Sequence, residues 1–188
     1  MRIEDSVVAV TGGASGLGEA VARRCIDQGA AGVAILDVNA DAATSLASEL
    51  GDRVLALPCD VRQPSDVTQA MSTVAEKFGR LNLAVSCAGV GWAERTLAKD
   101  GSPADLDAYR RIIEINLIGT YDFARQAASL MAKNEPDASG ERGAIVMTAS
   151  LAAFDGQIGQ SAYSASKGGL VGMTLPMSRD LAPVGVRV

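Results

Sequence analysis

Five short runs of almost wholly apolar residues punctuate the chain, separated by amphipathic or polar stretches. They are Val7–Thr11, Val33–Asp37, Val54–Cys59, Leu83–Cys87 and Gly143–Ser150, and Gly185–Val188 begins a further extended stretch. Runs rich in Val, Ile and Ala without polar alternation predict strands buried on both faces, as in parallel sheets. Helical patterns fill the intervals. Leu17, Val21 and Cys25 recur at helical spacing, and Asn39 reads as the N-cap of a helix through Leu46 and Leu50 that stops at Gly51. Val67, Met71, Val74 and Phe78 recur at i, i+4, i+7 and i+11, which predicts a helix over Ser65–Phe78. Ser102-Pro103-Ala104-Asp105 reads as a helix start, and one long helix is expected over Ala104–Lys133. Ser161–Leu181 reads as a helix kinked at Pro176. Strand and helix alternating in this way predict an α/β fold, a doubly wound parallel sheet with helices on both faces, made by residues 1–188 as one domain.

Composition narrows the chemistry. The 188 residues include no histidine, so Ser-His-Asp and Cys-His catalysis, histidine-bearing zinc sites and histidine-held haem are excluded. Acid–base work falls to Tyr, Lys, Asp, Glu or Cys. A net charge of −5 argues against general nucleic-acid binding. Cys25, Cys59 and Cys87 are odd in number and lack CxxC spacing, so neither a disulfide framework nor a metal ribbon is expected. The N-terminus has neither a cationic leader nor a long apolar stretch, and no run reaches the roughly 18 apolar residues of a spanning helix; a cytoplasmic protein without membrane partners is expected.

Two constellations carry chemistry. The first is Thr11-Gly12-Gly13-Ala14-Ser15-Gly16-Leu17-Gly18, between the first strand and first helix. Glycines at 12, 16 and 18 permit a tight turn and a close ligand approach, and the helix N-terminus offers unpaired N–H groups to an anion. A loose glycine-rich turn is the plain alternative; the place after a strand and before a helix favours a nucleotide. Asp37, 19 residues past Gly18, ends the second strand where an acid accepts both ribose hydroxyls of an adenosine and repels a 2′-phosphate, favouring NAD over NADP. Asp60-Val61 ends the third strand, where the acid is placed to bond an adenine amino group while Val61 packs on the ring; a turn acid is the alternative.

The second constellation is Tyr163-Ser164-Ala165-Ser166-Lys167, whose Tyr and Lys share a helix face. A nearby ammonium lowers the pKa of a phenol, ordinarily about 10, and lets it exchange a proton with an alcohol or carbonyl. An exposed Tyr–Lys pair is the alternative. Ser150, 13 residues before Tyr163, is placed to hydrogen-bond the same substrate oxygen. Asn116, a poor helix former flanked by Ile115 and Leu117, either caps a local break or holds a water near the site.

The Thr11–Gly18 loop, Asp37, Asp60-Val61, Cys87-Ala88-Gly89, Asn116, Ser150, Tyr163 and Lys167, in this order and spacing, resemble the short-chain dehydrogenase/reductases along the whole chain. The resemblance implies a Rossmann-type fold and hydride transfer between the nicotinamide of NAD and a carbinol carbon. It implies that Tyr163 is the general acid/base, that Lys167 lowers its pKa and binds the nicotinamide ribose, that Ser150 polarises the substrate oxygen and that Asn116 supports a water. Gly12, Ser15, Gly16, Leu17, Gly18, Asp37, Asp60, Val61, Cys87, Ala88 and Gly89, with Tyr163 and Lys167, are the implied cofactor contacts; no metal is implied. Cys87-Ala88-Gly89, Trp92–Asp105, Lys133–Asp137 and Ala162–Gly169 look most like the type-2 3-hydroxyacyl-CoA dehydrogenase subgroup, also described as 17β-hydroxysteroid dehydrogenases. That likeness implies 3-hydroxyacyl-CoA substrates in fatty acid metabolism, with a hydroxysteroid as the alternative.

Two departures stand out. Ser86-Cys87 replaces the family's usual Asn-Asn, with Ser86 the less expected residue and Cys87 read as a small buried hydrophobe. Relatives also continue beyond Arg187-Val188 into a full strand, a turn against the nicotinamide, a substrate lid and a last strand. The chain is therefore expected to be C-terminally truncated. This leaves open a second reading, an NAD-binding or oligomerisation module with little turnover. A homo-oligomer is implied, a tetramer in relatives and a dimer here if the final strand is absent.

Overall fold

The computed structural model describes residues 1–188. Six strands, β1 (Val7–Thr11), β2 (Gly32–Asp37), β3 (Val54–Pro58), β4 (Leu83–Ser86), β5 (Gly143–Met147) and β6 (Val186–Arg187), form one sheet in the order β3-β2-β1-β4-β5-β6. Every pairing is parallel; Val10 of β1 stands opposite Ile35 of β2 and Val85 of β4. The helices are α1 (Gly16–Asp27), α2 (Ala40–Leu50), α3 (Pro64–Phe78), α4 (Leu106–Ile113), α5 (Gly119–Met131) and α6 (Ser161–Leu181).

The two faces of the strands feed two cores, because successive side chains point to opposite sides. Val7 and Ala9, with Ala34, Leu36, Ala84 and Ile145, pack under α3, α5 and α6 through Val67, Val74, Phe123, Met131 and Met177. Val8 and Val10, with Val33, Ile35 and Val85, pack under α1 and α2 through Ala22, Cys25, Ala43 and Leu46. This is the doubly wound α/β arrangement that the alternation predicts.

Element ends follow the capping chemistry. The Asn39 side chain accepts the Ala42 N–H at 3.1 Å, and α2 stops at Gly51. Two expectations need correction. The helix expected over Ala104–Lys133 starts at Leu106, because Pro103 is engaged in an antiparallel bridge with Leu97 and Asp105 is the cap, accepting the Asp107 N–H at 2.8 Å. It is also split, since Glu114–Ile118 forms a π turn between α4 and α5. β5 ends at Met147, before Ser150, which heads the 3₁₀ turn Leu151–Ala153. α6 runs through Pro176 as one helix, although proline has no N–H for the Gly172 carbonyl.

Phe123 is fully buried among α3, α5 and the sheet. Phe123→Ala is expected to lower folding stability by about 3–5 kcal/mol through lost burial and a residual cavity. Urea denaturation checks this, and a loss below about 1 kcal/mol would contradict the packing described.

Candidate active site

A cleft of about 570 Å³ opens beyond the C-terminal ends of the central strands. Its walls include Gly12, Ser15, Gly16, Leu17 and Gly18 from the first loop, Asp37 after β2, Asp60 and Val61 after β3, and Cys87, Ala88 and Gly89 after β4. All the cofactor residues expected from those four segments therefore meet on one cavity. Sequence reasoning missed Val38, Cys59, Arg62, Val90 and Ile115, which also line it.

Two glycines set the shape of the first loop. Gly12 has φ +62°, and a β carbon there would stand 2.7 Å from the Ala88 nitrogen. A β carbon on Gly18 would collide with the Gly12 carbonyl oxygen, so α1 can approach β1 this closely only with glycine. The Ser15 side chain caps nothing at the start of α1, which leaves first-turn N–H groups open toward the cleft. Asp37 braces the loop: Oδ2 accepts the Ala14 N–H at 3.0 Å and Oδ1 accepts the Asn39 N–H at 2.9 Å. Asp60 is engaged differently. Its carboxylate is gripped by the Arg62 guanidinium, which holds it below the ordinary carboxylate pKa.

The second constellation assembles at the ends of β4 and β5. Lys167 is buried on α6, and its Nζ donates to the Thr148 carbonyl at 2.7 Å. Nζ lies 5.8 Å from the centre of the Tyr163 ring, as i, i+4 placement requires. Burial pushes the Lys167 ammonium below its usual pKa. Gly89 joins the two constellations, because a β carbon on it would face Asn116 Oδ1 at 3.2 Å and Lys167 Nζ at 3.7 Å. Ser150 Oγ accepts the Ala152 N–H at 3.2 Å, and the turn it heads packs against α6. The Tyr163 side chain is half-buried, and its hydroxyl makes no intramolecular hydrogen bond.

Asn116 sits fully buried in the π turn, so the break foreseen from its helix propensity is real. Its Oδ1 accepts the Val90 N–H at 2.8 Å, while Nδ2 donates to the Val90 carbonyl at 3.0 Å and to Ser166 Oγ at 3.2 Å. Both amide hydrogens are committed, so the side chain clamps the segment after β4 to α6 and has no donor left for a water. The unexpected Ser86 lies in a buried relay of hydroxyls. It donates to Thr120 Oγ1 at 3.1 Å, and Thr120 donates to the Asn116 carbonyl at 2.9 Å. Thr11 Oγ1 lies 3.4 Å from Ser86 Oγ and accepts the Ala88 N–H at 3.3 Å. The part of Thr11 and Thr120 in this relay was not foreseen, since only contacts between elements distant in sequence mark it.

Cys25 and Cys59 are buried, whereas Cys87, expected to be a small buried hydrophobe, is half-buried on the wall of the cleft. Burial, reinforced by surrounding carboxylates, pushes Cys59 up to about 12. Burial also raises Cys87, against the opposing pull of the Thr148 hydroxyl and Lys167.

Comparison with known proteins agrees with this geometry. Residues 6–188 match the family described as short chain dehydrogenase. The chain is 48% identical over 187 residues to the human 3-hydroxyacyl-CoA dehydrogenase type-2, covering 99% of this chain and 71% of that protein. It is 50% identical to the Drosophila melanogaster protein of the same name, covering 99% and 73%. A crystal structure of 3-hydroxyacyl-CoA dehydrogenase type-2 from Mycobacterium avium superposes with a TM-score of 0.94 at 43% identity, covering 100% of this chain and 74% of that one.

The Asn116 clamp has a measurable consequence. Asn116→Ala removes three hydrogen bonds at a buried position and is expected to cost about 1–3 kcal/mol of stability. Chemical denaturation is the measurement, and an unchanged midpoint would show that the clamp contributes nothing.

Proposed function

The chain belongs to the short-chain dehydrogenase family, and on that premise we propose that it transfers a hydride between NAD and a secondary alcohol or its ketone, with a 3-hydroxyacyl-CoA as substrate. Residues 1–188 would act as one dinucleotide-binding and catalytic unit. The observation that carries this reading is the Tyr163–Lys167 pair beside Gly89, at the edge of a cleft walled by the glycine loop and Asp37.

The cleft fits the cofactor. Each Asp37 oxygen receives one backbone N–H and keeps a further lone-pair site for a ribose hydroxyl. The uncapped start of α1 suits a pyrophosphate, and at Gly16 on the cleft wall a β carbon would meet nothing within 4 Å. Bound NAD supplies the hydride acceptor. The chain's own residues handle the proton. Tyr163 takes it from the substrate hydroxyl in oxidation and returns it in reduction. The Lys167 ammonium stabilises the phenolate, and the Thr148 carbonyl fixes where that charge sits. Ser150 accepts the Ala152 N–H and retains its own O–H to donate to the substrate oxygen. Asn116 works by position, keeping the segment after β4 in register with α6.

The acyl-CoA assignment follows the names of the similar proteins and the surface around Ser150. Leu151, Phe154 and Ile158 stand exposed, Phe154 at 80%, and offer an apolar wall to an acyl chain. Lys99 lies in the hairpin-like segment closed by the Leu97–Pro103 bridge and Arg95 just before it, two cations that would suit CoA phosphates. A homo-oligomer through α4–α6 fits the exposed Tyr109, Ile118 and Tyr121. Three free thiols and no disulfide suit the cytoplasm, and no helix is long and apolar enough to cross a membrane.

Adding NAD and a 3-hydroxyacyl-CoA should produce NADH absorbance; silence from folded protein favours the module reading. Tyr163→Phe is expected to lower kcat by about 10²–10⁴-fold, the usual worth of a general acid/base, with the NAD dissociation constant within a few-fold. Retention of most activity would remove the proton-transfer role. Asp37→Ala is expected to move the kcat/KM ratio toward NADP, and an unaltered ratio would strip Asp37 of its selectivity role.

A further inference from the structure

Two segments beside the catalytic pair are joined backbone to backbone. The segment after β4 leaves the cleft at Val90, which the Asn116 amide holds by its N–H and its carbonyl. Further along, the Glu94 N–H donates to the Gly159 carbonyl at 2.8 Å. Gly159 lies in the connection from Ser150 to Tyr163, directly before Gln160, the N-cap of α6. Its φ is +84°, and a β carbon on it would stand 3.1 Å from the Glu94 nitrogen and 3.3 Å from the Ala93 carbonyl carbon. Glycine is what lets the two backbones close on each other here.

The Glu94 side chain extends the joint. Oε1 accepts the Asp105 N–H at 3.3 Å, at the cap of α4, and Oε2 accepts the Trp92 indole N–H at 3.4 Å. Trp92 is the only tryptophan of the chain and is 44% exposed. An indole whose N–H is engaged still offers its apolar body to whatever covers it. On the other segment Ile158 directly precedes Gly159, and Leu151 and Phe154 share its connection; all three are exposed. That connection is also seated closely on α6, because a β carbon on Gly156 would collide with Ser164 Oγ. The joint thus sets the segment bearing Trp92 against the one bearing Ile158, close before Tyr163 in the chain. Large apolar side chains left in water together mark the seat of an apolar group.

Resting on the reading of the site as that of a 3-hydroxyacyl-CoA dehydrogenase, we propose that the Glu94–Gly159 joint determines specificity. It sets Trp92 across from Leu151, Phe154 and Ile158, and the acyl chain of the substrate is held between them. Glu94 and Gly159 are positioning residues, and Trp92 is the group that touches the acyl chain. Preference then rises with acyl length, since each methylene that leaves water adds binding, about fourfold when fully buried.

The test compares 3-hydroxybutanoyl-CoA with 3-hydroxydecanoyl-CoA in steady-state kinetics with NAD. The intact protein is expected to favour the longer substrate by at least about tenfold in kcat/KM, through KM, which asks for burial of only part of the added chain. Gly159→Ala is expected to cut that advantage below about threefold while kcat on the short substrate and the NAD dissociation constant stay within about twofold. Gly51→Ala is the control for backbone strain, because Gly51 has φ +91° and open space around it at the end of α2. It should lower the melting temperature and leave the length preference intact. Trp92 emission reads binding directly. Decanoyl-CoA, which has no hydroxyl to oxidise, should shift it, and free CoA should not. The proposal is overturned by a flat length profile in the intact protein, by a preference that survives Gly159→Ala or is equally lost in Gly51→Ala, or by equal emission shifts with the two ligands. Failure of the dehydrogenase reading looks different, because NAD would then not bind and neither substrate would turn over, while the emission measurement would still decide whether Trp92 meets an acyl chain. The length profile and the emission shift need no variant, so they decide the matter even where Gly159→Ala disturbs folding.

Discussion

The handedness of the strand–helix–strand crossover governs this molecule. A right-twisted strand followed by a right-handed helix packs back onto its sheet in one sense only. From the central pair β1 and β4, the chain moves outward through β2 and β3 on one side and through β5 and β6 on the other. Opposite directions of travel place α1 and α2 on one face and α3, α5 and α6 on the other. The connections leaving β1 and β4 thus part company, and the gap between them is the cleft. The chemistry described above is gathered at that gap because no crossover covers it.

A second level of organisation links the two halves of the site. Thr11, Ser86, Thr120 and the Asn116 carbonyl form a buried series of hydroxyl contacts from β1 to the π turn. The Asn116 amide carries it to Ser166, whose hydroxyl donates to the Tyr163 carbonyl at 2.7 Å. The glycine loop and the helix bearing Tyr163 and Lys167 are thereby tied through buried polar groups that partner one another and the backbone of Ala88 and Val90. In a low-dielectric interior such groups are costly to leave unpaired, which resists relative movement of the two constellations. Ser86 fits this role through its size. A single hydroxyl both accepts and donates, and so bridges Thr11 and Thr120 inside a fully packed layer.

Some of this was legible in the residue order and some was not. The strands were visible because burial on both faces demands unbroken apolar runs. The helix N-cap at Asn39 and the stop at Gly51 were visible because capping is local. The π turn was legible only as one of two readings of Asn116, since its cause lies far away in sequence. Asn116 departs from the helix in concert with Val90, 26 positions off, and Ser166, 50 positions off. Ser102-Pro103 misled because a sound local helix start was taken by a bridge to Leu97. Asp60 stands where the residue order put it, on the wall of the cleft after β3, while its full pairing with Arg62 shows only in the fold.

The sequence by itself determined the fold class, the order of the elements and the residue types at the site. Apolar periodicity, glycine at positions that exclude a β carbon and the Tyr-Lys interval are local properties of the chain. Only the tertiary structure decided which groups each carboxylate of the cleft pairs with, what holds Lys167 in place and why Asn116 interrupts its helix. Those outcomes depend on hydrogen-bond capacity being spent between groups remote in sequence, and that allocation exists only once the sheet has brought them together.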